Sequence, residues 1–202
     1  MGRADYWDRQ ADSFDEQPDH GLADPATREA WRSLLLGVLP PAPAEVADLG
    51  CGTGSLSVLL ADNGYRLRGL DFSSRMVERA QAKAAAAGVT ADFQLGDVAS
   101  PPWPPATFDA VLCRHVLWAL PDPGQALDRW AALLEPAGRL LLVEGRWRTG
   151  AGITAEEAEE LLRQKGRRSR VIPLTDPVYW GGPIDDERYL LVSTVPTPQP
   201  TP

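Results

Sequence analysis

Apolar residues along this chain fall into two alternating rhythms. Apolar runs at 46–49, 66–71, 90–95, 108–113, 139–144, 169–173 and 188–195 read as strands. Between them apolar positions recur at helical spacing. Met76, Val77, Ala80 and Ala84 share one face, as do Ala126, Leu127, Trp130, Leu133 and Leu134, and then Ala158, Leu161 and Leu162. Strands alternating with helices predict a mostly parallel sheet covered on both sides. The last strand follows the sixth through the loop Thr175–Asp186 with no helix between, so it is expected to pair antiparallel.

The flanks follow different rules. Trp31, Leu34, Leu35, Val38 and Leu39 predict an amphipathic helix over 27–39, ended by Pro40, Pro41 and Pro43. The first 24 residues are acid-rich yet hold Tyr6, Trp7 and Phe14, which predicts a helical flap rather than a disordered arm. The expected division is a flap over 1–40, a core over 41–195 and a disordered Pro/Thr tail over 196–202. On the flap, Asp12, Asp15, Glu16 and Asp19 are expected to face water.

Composition narrows the classes. A chain of 202 residues suits one domain with a sizeable core. No apolar run approaches the roughly 20 residues of a membrane span, and the start of the chain lacks the apolar stretch of a signal peptide. Cys51 and Cys113, the two cysteines, fit neither a disulfide framework nor a zinc site, so a reducing cytoplasm is the expected home. A net charge of −8 argues against nucleic acid as a partner. The one basic cluster, Lys165, Arg167, Arg168 and Arg170, reads as favourable charge at a helix end. Two lysines among 20 basic residues, with much Ala and Pro, hint at a GC-rich bacterial source.

The densest chemistry lies at 46–54, Val-Ala-Asp-Leu-Gly-Cys-Gly-Thr-Gly. An apolar strand carrying Asp48 runs into Gly50, Gly52 and Gly54, and a helical pattern follows at once. Glycines at such a turn let a ligand press against bare backbone. A dinucleotide loop wants G-x-G-x-x-G, whereas G-x-G-x-G stands here. Ligands of open parallel sheets bind beyond the carboxyl ends of the strands. There the second strand delivers Asp71, 21 residues after Gly50, at the spacing of an acid that accepts ribose hydroxyl hydrogens. Its alternative is an N-cap, which Ser73 supplies equally well. Phe72 and Met76 are candidates to flank an adenine, and Asp97 with Val98 to pair with its amino group and cover its ring, although Gly-Asp alone is turn chemistry. The fourth strand empties into Arg114 and His115. Arg114 is a candidate for the cofactor's far end. His115 and His20, the only histidines, are candidate proton acceptors, or else a backbone-holding and a capping residue.

Taken together, 46–54, Asp71, Gly96-Asp97 and Phe108-Asp109-Ala110-Val111 resemble class I S-adenosylmethionine-dependent methyltransferases. The nearest branch is the small-molecule one that contains the ubiquinone and menaquinone enzymes. Leu134-Glu135-Pro136-Ala137-Gly138-Arg139-Leu140 is similar to that branch's L-x-P-G-G-x-L turn, with Ala137 in place of a glycine. The resemblance implies an α/β, Rossmann-like, seven-stranded, mostly parallel sheet with helices on both faces and an antiparallel last strand. It implies S-adenosyl-L-methionine as cofactor, S-adenosyl-L-homocysteine as product, and attack of a substrate nucleophile on the sulfonium methyl.

Departures narrow the substrate. Arg114-His115-Val116-Leu117 replaces the Asn/Asp-Pro-Pro-aromatic motif of enzymes that methylate flipped bases or amides. No acid follows the fourth strand where magnesium-dependent relatives hold a ligand, so metal independence is expected. Tyr6, Trp7, Phe14, Trp118, Trp147, Tyr179 and Trp180 are candidates to line an acceptor pocket or to anchor loops. The expectation is a small-molecule methyltransferase, monomeric or homodimeric, in bacterial secondary metabolism. The alternatives are a protein of the same fold that binds the cofactor without methyl transfer, a nucleotide-binding regulatory module, and a protein-modifying methyltransferase.

Overall fold

The computed structural model describes residues 3–196, so 197–202 of the expected tail lie outside the described residues. Seven strands form one sheet: β1 (Glu45–Leu49), β2 (Arg66–Asp71), β3 (Ala91–Leu95), β4 (Phe108–Arg114), β5 (Leu134–Arg146), β6 (Arg168–Pro173) and β7 (Glu187–Thr194). Their order is β3-β2-β1-β4-β5-β7-β6. β1 to β5 pair in parallel. β7 runs antiparallel between β5 and β6, and the connection from β6 holds no α-helix, only a 3₁₀ turn at Pro177–Tyr179.

The apolar alternation of each strand is shared between two cores. One face buries Leu49, Val111, Cys113, Leu140, Leu142 and Leu191 against α6 (Pro123–Ala132) and α7 (Ala155–Gln164). The other buries Val46, Ala110, Leu112, Leu141 and Leu190 against α3 (Pro25–Leu36) and α4 (Ser55–Asp62). Each fully buried Val, Leu or Phe contributes about 1.5–3 kcal/mol relative to exposure. Cys51 and Cys113 are buried and unpaired. Among the described residues, no helix is long and apolar enough to cross a membrane.

Two boundaries differ from expectation. The expected helix over 27–39 starts at Pro25, because Asp24 accepts from the Thr27 N–H at 2.8 Å, and it ends at Leu36, before the prolines. β5 begins at Leu134 rather than 139. Leu134 pairs with Phe108 and Arg139 with Ala110, so the register shift places the intervening Pro136-Ala137-Gly138 turn inside the strand as an irregularity.

Before the sheet stand α1 (Arg3–Gln10), a 3₁₀ turn at Phe14–Glu16 and α2 (Pro18–Gly21). Of the acids of this segment, Asp12 faces water as expected while also pairing, whereas Asp15 and Asp19 are half-buried. α5 (Ser74–Ala87) presents Arg75, Arg79 and Lys83 at four-residue spacing, with Ser73 capping its start. Asp8 accepts from Ser73 Oγ at 2.5 Å, and Asp12 pairs with Arg79 and with Arg75 at 3.4 Å. Asp15 lies 2.8 Å from Lys83 Nζ and accepts from Thr53 Oγ1. Helical spacing on α5 supplies the counter-charges that a local reading of 1–24 cannot see. Glu16 stays exposed.

Candidate functional site

A cavity of about 780 Å³ opens at the carboxyl ends of β1 to β4, beneath the N-terminal segment. Its floor is the glycine loop. Gly50 (φ 76°), Gly52 (φ 54°) and Gly54 (φ 76°) all adopt left-handed backbone. A Cβ on Gly50 would stand 2.4 Å from Val116 Cγ2, so no side chain fits there. The loop is tied across the sheet: Gly50 and Cys51 N–H both donate to the Leu70 carbonyl, at 2.8 and 3.1 Å.

Asp71 is the knot of this arrangement. One carboxylate oxygen accepts from Gly52 N–H and the other from Ser73 N–H, both at 2.9 Å. Burial pushes its pKa up and these hydrogen bonds pull it down. Ser73 Oγ accepts from Met76 N–H and caps α5, so Asp71 is not needed as the N-cap. A carboxylate offers about four acceptor positions, which leaves Asp71 capacity toward the cavity it lines. Gly52, Cys51, Phe72, Met76, Asp97 and Val98 line the same wall. Asp97 is exposed and accepts from Ala99 N–H at 2.8 Å.

Two predicted cofactor residues stand behind the wall. Asp48 is buried under the loop and accepts from Ser57 Oγ at 2.6 Å. Burial raises its pKa to about 6. Gly54 starts α4, and a Cβ there would meet Ala80 and Phe93.

The opposite end of the cavity is built on the residues after β4. Arg114 donates to the Asp19 carbonyl, and its guanidinium lies 5.5 Å from the centre of the Trp31 ring. His115 sits at φ 59°, a strained backbone for a residue other than glycine, and its N–H donates to the Val143 carbonyl at 2.9 Å. Its ring stacks on Trp180 at 5.9 Å and meets Trp147 edge-on at 5.2 Å. His20 stacks on Phe14 at 4.1 Å and lies 6.5 Å from His115, centre to centre. Burial pushes both imidazoles down, His20 to about 4 and His115 well below its usual value, with the Arg114 charge acting in the same direction. His20 Nδ1 and His115 Nε2 are buried without a hydrogen-bond partner.

Of the aromatic candidates, Tyr6, Trp7, Phe14, Trp118 and Trp147 line the cavity. Tyr179 and Trp180 do not. They anchor the 175–186 loop: the Tyr179 carbonyl accepts from Trp31 Nε1 at 3.0 Å, and Trp180 Nε1 donates to the Leu174 carbonyl at 2.7 Å. Sequence reasoning missed Glu144. It is fully buried on β5, and one carboxyl oxygen accepts from Val116 and Leu117 N–H at 3.1 and 2.8 Å, holding the turn that carries His115. Burial raises its pKa to about 8, so it is a neutral acid at pH 7. An acid inside the run Leu140-Leu141-Leu142-Val143-Glu144 was the available signal.

A glycine cradle, a buried acid at the second strand and an acid at the third define one class of site: a nucleoside-bearing cofactor laid across the edge of an open α/β sheet. The cavity falls within the roughly 300–1,000 Å³ of small-molecule sites, and Gly50, Cys51 and Gly52 line it beside Asp71. The residues fit S-adenosylmethionine. Residues 47–142 match the family model described as a methyltransferase domain. Over that stretch, a little under half of the chain, the protein is similar to class I S-adenosylmethionine-dependent methyltransferases.

Ubiquinone biosynthesis O-methyltransferase of Xylella fastidiosa (strain 9a5c) is 33% identical over 105 residues, 52% of this chain and 43% of that protein. The chain spans less than half the length of the first curated relatives it matches. Among solved structures, magnesium protoporphyrin IX methyltransferase from Synechocystis PCC 6803 with bound SAM is 26% identical at a TM-score of 0.64, over 84% of this chain and 80% of that one. The [4+2]-cyclase SpnF superposes at a TM-score of 0.73 with 22% identity, over 84% of this chain and 81% of that one, a likeness of fold.

Proposed function

We propose that this protein transfers a methyl group from S-adenosyl-L-methionine to a small-molecule acceptor. The observation that carries the reading is Asp71, tied to Gly52 and Ser73 at the floor of a cavity that also gathers Asp97 and His115. Asp71 would accept from ribose hydroxyls, Phe72, Met76, Asp97 and Val98 would hold the adenine, and the backbone of 50–52 with Arg114 would hold the amino-acid end. When bound, the cofactor supplies a methyl group on a sulfonium, an electrophile that needs no metal to activate it.

The chain's own task is positioning and dehydration. Tyr6, Trp7, Phe14, Trp118 and Trp147 make an apolar lining suited to a planar or hydrophobic acceptor. The segment before α3, from α1 to α2, acts as a flap over it, whereas α3 packs into the core of the sheet. Neutral His115, with His20 second to it, carries a free imidazole lone pair and takes the proton of an attacking hydroxyl or amine. That proton becomes strongly acidic as the methyl bond forms, so a weakly basic imidazole suffices. The scarcity of lysine beside abundant Ala and Pro supports a GC-rich bacterial source.

The test begins with calorimetric titration of S-adenosylmethionine, S-adenosylhomocysteine and NAD. Micromolar binding of the first two, about −8 kcal/mol, and none of the third is expected. Asp71→Ala should weaken binding at least tenfold, about 1.4 kcal/mol; an unchanged affinity removes the ribose role. His115→Ala should lower kcat, read as S-adenosylhomocysteine released with hydroxylated or amino aromatic acceptors, far more than cofactor affinity. Tight cofactor binding with no product from any acceptor would favour cofactor use without methyl transfer.

A further inference from the structure

We propose that Asp19, His20 and His115 form a binding site for a divalent first-row transition metal ion, with Zn²⁺ the best match to the donors. The proposal goes beyond methyl transfer and does not depend on it. The chain's only two histidines converge from distant positions at the acceptor end of the cavity. The donor atoms of Asp19, His20 and His115 all lie within 4.8 Å of one another, the one such grouping of His, Cys, Asp or Glu among the described residues.

Three features separate this trio from a chance cluster. His115 Nε2 is buried and without a hydrogen-bond partner, and His20 Nε2 already faces Asp19 Oδ2 at 3.4 Å. Both rings are held by stacking, His20 on Phe14 and His115 on Trp180, so their orientation is fixed. His115 is also kept in left-handed backbone by its N–H bond to Val143. Two imidazoles and one carboxylate are the donor set of Zn²⁺ and Fe²⁺ sites. Mg²⁺ prefers oxygen ligands and is not expected here, so the absence of an acid after β4 does not bear on this ion.

Ligands at about 2.0–2.2 Å from one ion stand roughly 3–3.5 Å apart, so from separations of up to 4.8 Å binding asks the trio to close by as much as about 1.3–1.8 Å. His20 and Asp19 sit on α2, in the segment fastened by ion pairs, and that is the side that moves. The charges facing the two rings are Arg114 and Arg188, which oppose a cation, and Asp15 and Asp19, which favour it. An ion held here takes the imidazole lone pairs and stands where the acceptor would enter, so occupancy regulates the same cavity.

The experiment uses the tag-free, chelator-treated chain titrated with ZnCl₂ and, separately, MgCl₂ by calorimetry, and with CoCl₂ by visible absorption. One Zn²⁺ per chain at micromolar affinity or tighter, visible Co²⁺ bands and no Mg²⁺ heat are expected. His20→Ala and His115→Asn should each weaken Zn²⁺ at least tenfold, and the pair should abolish it. Asn is chosen because it tolerates left-handed backbone. Intact S-adenosylmethionine binding by the variants shows that they fold, and Asp19→Asn, which keeps the shape, serves if one does not. No Zn²⁺ binding below millimolar, or binding that survives His20→Ala and Asp19→Asn, overturns the site. Failure of methyl transfer with Zn²⁺ binding intact would leave it standing.

Discussion

The sheet and the N-terminal segment meet at the same cavity but are held in place by different forces. In the sheet, Val46, Leu49, Ala110, Val111, Leu112, Leu140, Leu141, Leu142 and Val143 are shut off from solvent, and the strands pair along their length. Of the described side chains from 4 to 21, only Ala11 is fully buried. That segment is fastened by Asp8, Asp12 and Asp15 to Ser73, Arg75, Arg79 and Lys83, and by aromatic rings that also face the cavity. Exposed ion pairs contribute little to stability. The difference teaches that the strength of the fold and the closure of the cavity are set separately: the sheet carries the glycine loop, and the segment covers it.

The comparison can be broken at several strengths. Leu112→Ala removes packing from the middle of the sheet and should cost about 2–5 kcal/mol in urea unfolding, with cofactor affinity unchanged wherever the fold survives. Asp12→Asn combined with Asp15→Asn should do the reverse. Calorimetry should show S-adenosylmethionine binding several-fold weaker, with the urea midpoint unmoved. The double variant should also lose the salt sensitivity of wild-type binding, since the screening length shrinks from about 10 Å at 0.1 M to about 3 Å at 1 M. A midpoint that falls as far as in Leu112→Ala would make segment and sheet one cooperative unit.

The smallest effect is one of pH, and it has opposite sign in the two regions. Glu144, raised to about 8, holds a proton in the folded state that the unfolded chain releases. Its contribution is complete below the ordinary carboxyl range near 4.5 and is lost as pH rises through 8. His20, lowered to about 4, contributes above 6.5 and loses that contribution as pH falls through 4. Urea midpoints of Glu144→Gln should therefore vary less between pH 5 and pH 8 than those of the wild type, whereas His20→Ala should flatten the profile between pH 4 and pH 6.5.

Where the sequence was legible, local pattern and long-range order agreed. All seven strands were readable, most plainly β1 and β4, where a parallel setting buries both faces and leaves no polar alternation to confuse the period. Gly50, Gly52, Asp71 and Asp97 were readable because strand ends of an open sheet deliver their following residues to one edge. What was hidden depends on neighbours remote in sequence. The pairing of Asp12 and Asp15 needs the basic row of α5, and the grip of Glu144 on residues 116–117 needs β4 and β5 side by side. Trp180 looked like a pocket residue, yet it backs His115 from outside the cavity. An aromatic residue's type says that it will be covered, not by what.

The seventh strand has a consequence for the order in which the protein is made. Residues 187–194 lie between β5 and β6, and Tyr189 pairs opposite Glu144. As the chain leaves the ribosome, the strands under the glycine loop find their neighbours early, whereas β5 waits with an open edge and β6 with no partner until those last residues emerge. The wall that supports Glu144, and through it the turn bearing His115, is thus the last to be finished. A nascent chain completes the glycine-loop end of the cavity first and the His115 end afterwards.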